Sequence, residues 1–232
     1  MENKFTGTKI FIICVTGILV FITLFVLFIK HDNKIELNEK YNELTEPVTE
    51  YLESKYIEEM IIKEGVTLYD DAYSLFAYPK NNPEIEFRAI DWGRDIVFKD
   101  DYLESYSEWE AKTIIDSIVK NYFTSYYCYT ILTYEQKTKD ILLEYYNTNK
   151  RHLSWQDGNH LDELQFAGIR LYGSDENLVE KNVMEPVLSD VLKLDFIVQR
   201  VTFYLYENEE EKGAIKSYIY EYKDGEYHLR SK

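Results

Sequence analysis

The feature that most constrains this chain is a run of 20 residues without a charged side chain, Ile10–Ile29, bounded by Lys9 and Lys30. At about 1.5 Å rise per residue, a helix of this length spans about 30 Å, which matches the hydrocarbon thickness of a bilayer. The run therefore predicts a transmembrane helix, and the lipid bilayer is the first partner we expect.

Two alternatives to a permanent anchor are disfavoured by the residues themselves. A cleaved signal peptide has an apolar core of about 7–15 residues followed by small residues at the cleavage site. Here the run continues through Phe28 directly into Lys30, with no small-residue pair. A lipid-modified cysteine would follow a full apolar run, whereas Cys14 comes after only four of its residues. We interpret Ile10–Ile29 as an uncleaved signal anchor.

The numbers of lysines on the two sides of the run are too similar to decide the orientation of the anchor. Two lysines and the chain terminus precede the run, and three lysines follow it closely. Short tails before a single anchor commonly stay inside the cell, and long domains cross the membrane largely regardless of their charge. We therefore expect a cytoplasmic tail at residues 1–9, a single pass through the cell membrane, and an extracytoplasmic carboxyl-terminal part.

The charge of the chain narrows its partners. It has 26 Lys+Arg against 42 Asp+Glu, a formal net charge of −16. All of the negative excess lies beyond residue 30, because residues 1–30 hold three lysines and one glutamate. Nucleic acid and anionic lipid are bound through clustered basic residues, so we predict no nucleic-acid partner. A basic partner, or solubility alone, accounts better for the charge.

The composition predicts a packed domain rather than a disordered tail. Aromatic residues make up 16% of the chain, with 22 Tyr, 12 Phe and only 4 Pro. This supplies enough apolar surface for a core. Cys128 is the only cysteine after the apolar run, so no intradomain disulfide can form. The abundance of Lys, Asn, Ile and Tyr is typical of an AT-rich bacterial genome.

The sequence predicts a strand at about Met60–Tyr69, a long strand over Phe196–Tyr206 and a last hairpin around Lys223-Asp224-Gly225. Such helical and strand patterns alternate along the rest of the chain. They predict an α+β fold, in which the transmembrane helix is followed by antiparallel β-meanders with packed helices. The expected organisation is a tail at 1–9, the anchor at 10–29, a stalk at 30–45, a first α+β unit at 46–124 and a second at 125–232.

Local signals predict where the helices begin. Thr45 can cap a new helix, with Pro47 in its first turn, where the missing N–H costs nothing. Ser107–Glu110 and Thr133–Gln136 each have the capping-box spacing. A further helix is expected from Asp175 to Leu192, with Pro186 kinking or restarting it.

Two stretches of the chain are alike. Glu46-Pro47-Val48 opens a helix that leads to Val66-Thr67-Leu68-Tyr69, and Glu185-Pro186-Val187 opens one that leads to Val201-Thr202-Phe203-Tyr204. Each half reads helix–strand–strand–turn–strand. The two units are therefore candidates for a duplication.

This order of elements resembles the small cystatin-like or PepSY-like units of bacterial envelope proteins. The stretch Tyr78–Phe87, followed by Asp100–Leu103 and Trp109-Glu110, also resembles membrane-anchored extracytoplasmic proteins of low-GC Gram-positive bacteria. The resemblance covers residues 47–123. It implies an envelope location and a binding role, and it carries no active site over to this chain.

The sequence shows no motif for catalysis, metal binding or a cofactor. No two of the four histidines have the i,i+4 spacing of a helical zinc pair, and Cys128 has no neighbouring ligand. G-x-S-x-G, Walker and dinucleotide-binding motifs are absent. We therefore predict no catalytic residue, no metal site and no cofactor.

The tyrosines are the least ordinary feature. Strand side chains alternate between the two faces of a sheet, so each of the last strands gathers its tyrosines on one face. If these faces are open to solvent, they form a surface for stacking on a glycan or docking a peptide; if they face the helix Leu178–Leu192, they belong to the core. The candidate binding residues are Tyr204, Tyr206, Tyr218, Tyr220 and Tyr222.

Three classes of function remain open. The one we expect is a membrane-tethered, non-catalytic binding module that presents its domain to a protein partner in the cell envelope. A narrower version is an immunity or inhibitor protein that neutralises a basic secreted protein. The second class is an envelope hydrolase acting on wall glycan or peptide through carboxylates. The third is a structural protein whose soluble part associates with itself.

Overall fold

The structure is a computed structural model of the 232-residue chain. The structure describes the backbone of residues 3–69, 72–91, 98–132, 136–155, 163–172, 181–206, 214 and 216–231. It also describes their side chains, except those of residues 3–20, 26, 29–33, 69, 136, 163–164, 181–183 and 231.

The first element is a single long helix, α1 (Asn3–Lys55), which contains the whole apolar run and continues without a break beyond it. No new helix begins at Thr45, so this prediction was wrong. The Thr45 hydroxyl donates to the carbonyl of Tyr41 one turn back, at 2.6 Å, instead of capping a helix start. Pro47 lies inside α1. The predicted stalk is therefore part of one helix.

Within the part of the chain whose side chains are described, no helix is long and apolar enough to cross a membrane. The side chains of most of Ile10–Ile29 lie outside it.

The chain divides into two compact units, the first comprising residues 1–81 and 88–100 and the second residues 82–87 and 101–232. The helix predicted from Ser107 therefore belongs to the second unit, whereas the sequence placed it in the first. In the first unit, α1 contacts an antiparallel sheet. The buried residues of α1 recur about once per turn, at Leu44, Val48 and Leu52, and Tyr56 directly after the helix is buried as well.

The sheet of the first unit has the order β1-β2-β3-β4. Its strands are β1 (Met60–Tyr69), β2 (Ala72–Pro79), β3 (Phe87–Asp91) and β4 (Phe98–Asp100). The register of β1 on β2 shifts between Ile62 and Val66, where Gly65 has a φ of 105°. Glycine tolerates this conformation without steric cost.

A buried carboxylate fastens α1 to β4. The hydroxyls of Tyr51 and Tyr56 donate to Asp100 at 2.7 and 2.5 Å. The ammonium group of Lys55, the last residue of α1, donates to the same carboxylate at 2.7 Å. The Asp100 side chain is only 1% exposed, so these donors replace the water that it loses on folding.

The second unit contains three described helices, α2 (Tyr102–Val119), α3 (Gln136–Asn149) and α4 (Lys181–Val191), and α2 contacts both of the others. Ala111, Ile115 and Val119 form the buried stripe of α2, as their spacing predicted. Pro186 lies within α4. The predicted start of this helix at Asp175 lies outside the described residues, as does most of the Thr133–Gln136 capping box.

The prediction that a helix begins at the capping box Ser107–Glu110 was also wrong. Helix α2 begins five residues earlier, at Tyr102, and Ser107 lies in its second turn, where its hydroxyl donates to the carbonyl of Leu103 at 3.0 Å. Glu110 instead holds the segment after α3, because its carboxylate accepts from the Ser154 hydroxyl and the Trp155 backbone N–H.

The second unit is built on a five-stranded sheet of order β11-β10-β9-β7-β5. Strands β9, β10 and β11 form an antiparallel meander, and β5 pairs antiparallel with β7. The pairing of β7 with β9 is parallel, because α4 lies between them in the chain and provides a crossover. The strands are β5 (Tyr126–Ile131), β6 (Glu163–Leu164), β7 (Phe166–Tyr172), β8 (Ile197–Val198), β9 (Arg200–Tyr206), β10 (Lys216–Lys223) and β11 (Glu226–Ser231).

The α+β fold class is thus confirmed, with antiparallel pairing predominant and one mixed sheet. Short strands β6 and β8 form a separate parallel pair. The sequence predicted one long strand over Phe196–Tyr206. In the structure this stretch forms two strands, β8 and β9, and only β9 joins the five-stranded sheet.

Candidate functional site

The two faces of the five-stranded sheet have different neighbours. Helix α2 lies on one face, where the Thr130 hydroxyl of β5 donates to the carbonyl of Glu108 at 2.6 Å. Helix α4 lies on the same face, where the hydroxyl of Tyr220 lies 3.7 Å from the sulfur of Met184. We call this the helix face, and the opposite side the outer face.

The five candidate tyrosines do not share a surface. In the register of β9 on β10, Tyr204 is opposite Ser217 and Tyr218 is opposite Phe203. Residues opposite each other project on the same side of a sheet, so Tyr204 and Tyr206 lie on the outer face. Tyr218, Tyr220 and Tyr222 lie on the helix face.

The tyrosines of β10 belong largely to the core. Tyr218 is 9% exposed and Tyr220 is 3% exposed, and the Tyr220 ring meets Phe203 edge-on at 6.0 Å. Tyr222 is half-buried and packs against Tyr227 at 5.8 Å between ring centroids. A ligand surface built from all five tyrosines is therefore not formed, and the core alternative describes these three.

The outer face gathers another set of tyrosines around a single cation. Its residues on β5, β7 and β9, which we name the tyrosine face, are Tyr127, Tyr129, Arg170, Tyr172, Tyr204 and Tyr206. Tyr127 is opposite Arg170 on one side, and Tyr204 is opposite Arg170 on the other. The tyrosine face therefore runs across three neighbouring strands.

Arg170 lies among the aromatic rings of this surface. Its guanidinium carbon is 5.3 Å from the ring centroid of Tyr129 and 5.8 Å from those of Tyr127 and Tyr206. A cation over an aromatic ring is attracted by the ring quadrupole. Arg170 also hydrogen-bonds to Tyr172. Its Nε atom is buried and has no hydrogen-bond partner, and no carboxylate of the described residues pairs with it.

A glycine in β7 makes room for one ring of the tyrosine face. Gly168 is opposite Tyr129, and a Cβ atom at Gly168 would lie 2.3 Å from the Tyr129 ring. The ring therefore lies directly on the glycine backbone, an arrangement by which aromatic residues cover glycines in sheets. Burial, followed by a hydrogen bond to Tyr204, raises the pKa of Tyr129.

The outer face carries positive charge in an acidic chain. Arg200 and Arg230 both donate to the carboxylate of Glu221, and the Arg200 distance is 2.9 Å. The hydrogen bond from Arg230, followed by that from Arg200, lowers the pKa of Glu221. Strand alternation places Arg170, Arg200, Glu221, Lys223 and Glu226 on this face, and the ion pair with Glu221 places Arg230 there as well. Among the described strands, positive side chains therefore outnumber negative ones on the outer face.

Sequence reasoning found Tyr204 and Tyr206 but missed Tyr127, Tyr129, Arg170 and Tyr172. One signal for them was present: a strand pattern that alternates tyrosine with buried residues over Tyr126–Ile131. The position of Arg170 depends on which strands pair, and this is a property of the topology that spacing within one strand does not contain.

The buried carboxylates of both units are already bound by the chain itself. Asp100 accepts from α1, as described above, and Glu104 is 3.0 Å from the Lys139 ammonium. No group of three or more potential metal ligands occurs in the described part of the chain. His152 stacks on Tyr106 at 3.6 Å, and His160 lies outside the described residues.

The sequence matches no family model, and no curated protein matches it. Among solved structures, the chain is similar to the crystal structure of a DUF5037 family protein from Ruminococcus gnavus ATCC 29149. The sequence identity is 14% and the TM-score is 0.46, over 79% of this chain and 94% of that chain. At this level of similarity, no residue role carries over to the present chain.

Proposed function

We propose that this protein is a membrane-tethered, non-catalytic binding module of the bacterial cell envelope, and that its tyrosine face contacts a protein partner. The observation that carries the proposal is the connected surface of tyrosine rings around Arg170. Tyr127 on this surface is 49% exposed although it is a large aromatic residue. Tyrosine and arginine are enriched where proteins bind each other.

The tether is the apolar run Ile10–Ile29. It is part of α1, a helix of 53 residues whose other end is fastened to β4 through Asp100. At about 1.5 Å per residue, such a helix is about 80 Å long if it is straight. One helix thus supplies both the proposed anchor and part of the first unit, without a flexible linker between them.

The orientation of this tether is tested on intact cells. With residues 1–9 in the cytoplasm, protease added outside should digest the carboxyl-terminal part and spare a cytoplasmic marker. Full protection of that part in cells that contain the protein in their membrane fraction would contradict the proposed orientation.

The hydrolase alternative receives less support from the geometry. Carboxylate catalysis needs two acidic groups at one cleft, one of them free to donate a proton. Two buried carboxylates of the described residues, Asp100 and Glu104, are instead paired with Lys55 and Lys139. These pairings support a role in holding the fold.

Site-specific photo-crosslinking tests the binding role. The photoreactive residue p-benzoylphenylalanine replaces Tyr127 in the full-length protein, and cells are irradiated. We expect an adduct with one protein at this position, identified together with its crosslinked segment by mass spectrometry. The matched control replaces Leu143 on α3, which is 37% exposed and also apolar.

The comparison of these two positions decides the result. An adduct at position 127 that is absent at position 143 supports the tyrosine face as the binding surface. The same adduct pattern at both positions, or none at position 127, would contradict it. Tyr204→p-benzoylphenylalanine provides a second reporter on the neighbouring strand β9 of the same face.

A further inference from the structure

The charge of the whole chain predicts a basic partner, but the tyrosine face and its neighbours have the opposite sign. Three of the six arginines of the chain, Arg170, Arg200 and Arg230, lie on the outer face of the five-stranded sheet. Glu221 partly neutralises two of them. Arg170 has no carboxylate beside it within the described structure. This face is therefore complementary to an anion.

We infer that the occupant of the tyrosine face is an acidic protein segment that combines carboxylates with apolar side chains. This inference rests on the proposed binding role of the same face. A carboxylate that reaches the half-buried guanidinium group of Arg170 from solvent would form a charge-assisted hydrogen bond with it. The exposed ring of Tyr127 and the half-buried ring of Tyr206 supply rigid apolar contact area around it.

The arrangement of the rings favours a protein segment over an acidic polysaccharide. Sugars stack on the open faces of aromatic rings. The Arg170 guanidinium already lies over the rings of Tyr127, Tyr129 and Tyr206, so their faces are partly covered. What remains available is ring edges and tyrosine hydroxyls beside a cation. These groups match the carboxylates, backbone amides and aliphatic side chains of a peptide.

The test uses the full-length protein in a mild detergent and three fluorescein-labelled polymers of similar length. They are a random glutamate–tyrosine copolymer, polygalacturonate as an acidic glycan, and polylysine as a basic polymer. Fluorescence anisotropy is measured at low and moderate salt. We expect the copolymer to bind most tightly, and its affinity to fall as salt rises because the contact is electrostatic.

Three variants locate the binding. Arg170→Gln should weaken copolymer binding at least about fivefold, which is the loss of one charge-assisted contact. Tyr127→Ser, at a position that is 49% exposed, should weaken it as well. The control Arg151→Gln removes an equal charge from a cation over the ring of Tyr145 on α3, away from the tyrosine face, and should change affinity less than twofold.

Each outcome decides the inference. Equal losses in Arg170→Gln and Arg151→Gln, preference for polygalacturonate or polylysine, or no copolymer binding would each overturn the acidic-segment chemistry. A specific crosslink at position 127 together with any of these results would leave the tyrosine face as a binding surface for a different partner. Absence of that crosslink would instead overturn the binding role itself.

Discussion

Each of the two compact units contains a charged side chain that is shielded from solvent, but the groups that surround the two charges differ. In the first unit, the Asp100 carboxylate accepts from two tyrosine hydroxyls and from the Lys55 ammonium. In the second unit, the Arg170 guanidinium lies among tyrosine rings, and its buried Nε has no hydrogen-bond partner among the described residues. Both sites are rich in tyrosine, but within the described part of the chain only the charge of the first is neutralised by an opposite charge.

This difference separates a charge that holds the fold from one that is available for binding. A buried carboxylate without donors would lose several kcal/mol of solvation, so the donors on Asp100 are required by folding. Aromatic rings stabilise a cation without cancelling its charge. Arg170 therefore keeps an electrostatic field that an incoming anion can use, whereas Asp100 does not.

Removing the carboxylate of the first unit should have the largest effect. Asp100→Ala leaves the Lys55 ammonium and two tyrosine hydroxyls without their acceptor, so the free energy of unfolding should fall by about 3 kcal/mol. Hydrogen exchange followed by mass spectrometry should show faster exchange near the end of α1. The control is Glu59→Gln, which breaks an exposed ion pair with Lys80 and should cost less than about 1 kcal/mol. Equal costs would show that Asp100 is not a structural charge.

Adding a methyl group beneath the tyrosine face should have the next largest effect. Gly168→Ala places a Cβ within 2.3 Å of the Tyr129 ring, so the ring must move away from the sheet. We expect a loss of about 1–3 kcal/mol in the free energy of unfolding and a changed near-ultraviolet circular dichroism spectrum.

The double variant Gly168→Ala, Tyr129→Ala is the control for this prediction. With the ring removed, the added methyl group has room, so the cost of Gly168→Ala should be much smaller in the Tyr129→Ala background. An undiminished cost would place the strain elsewhere in the sheet, and the tyrosine face would not depend on this contact.

Much of the fold was predictable because its signals are local. Strand β1 begins and ends where the sequence indicated, at Met60 and Tyr69, and the hairpin at Lys223-Asp224-Gly225 joins β10 to β11 as predicted. The helix starts were not predictable in this way. Thr45 and Ser107 are good capping residues, but inside a helix each hydroxyl bonds to the carbonyl four residues back.

Only part of the candidate site could be predicted, because the rest depends on the register in which neighbouring strands pair. Alternation correctly placed Tyr204 with Tyr206, and Tyr218 with Tyr220, on common faces of their own strands. Whether the two pairs share a face depends on the pairing of β9 with β10, and a shift of one residue reverses the answer. The sequence around Tyr204 does not specify that its neighbour is Ser217 rather than Tyr218.

Alkaline pH should lower the stability of both units, because each contains a tyrosine whose pKa is raised. Burial, followed by the negative charge of Asp100, raises the pKa of Tyr51, and burial raises that of Tyr129, which Arg170 partly lowers. Because the folded state holds these protons more tightly than the unfolded chain, the free energy of unfolding should fall as pH rises above about 10.

Removing either hydroxyl should make this fall less steep. Tyr51→Phe and Tyr129→Phe each remove one group that the unfolded chain deprotonates above about pH 10 while the folded state keeps it protonated, so each should reduce the slope by up to about 1.4 kcal/mol per pH unit. The midpoints of urea unfolding from pH 8 to pH 11 measure this difference. Burial also raises the pKa of the Cys128 thiol to about 12, and this contribution is common to all variants. Slopes equal to that of the unchanged protein would contradict the retention of these protons in the folded state.

At neutral pH, Arg170→Gln should have the smallest effect on stability. The substitution breaks no ion pair of the described residues; it removes the hydrogen bond to Tyr172 and the attraction between a half-buried cation and its rings. The free energy of unfolding should change by less than about 1 kcal/mol, similar to that of the control Arg151→Gln. A loss as large as that of Asp100→Ala would make Arg170 a structural charge, and the contrast between the two units would no longer indicate a binding surface. A small loss combined with weakened copolymer binding requires Arg170 to act on a partner rather than on the fold.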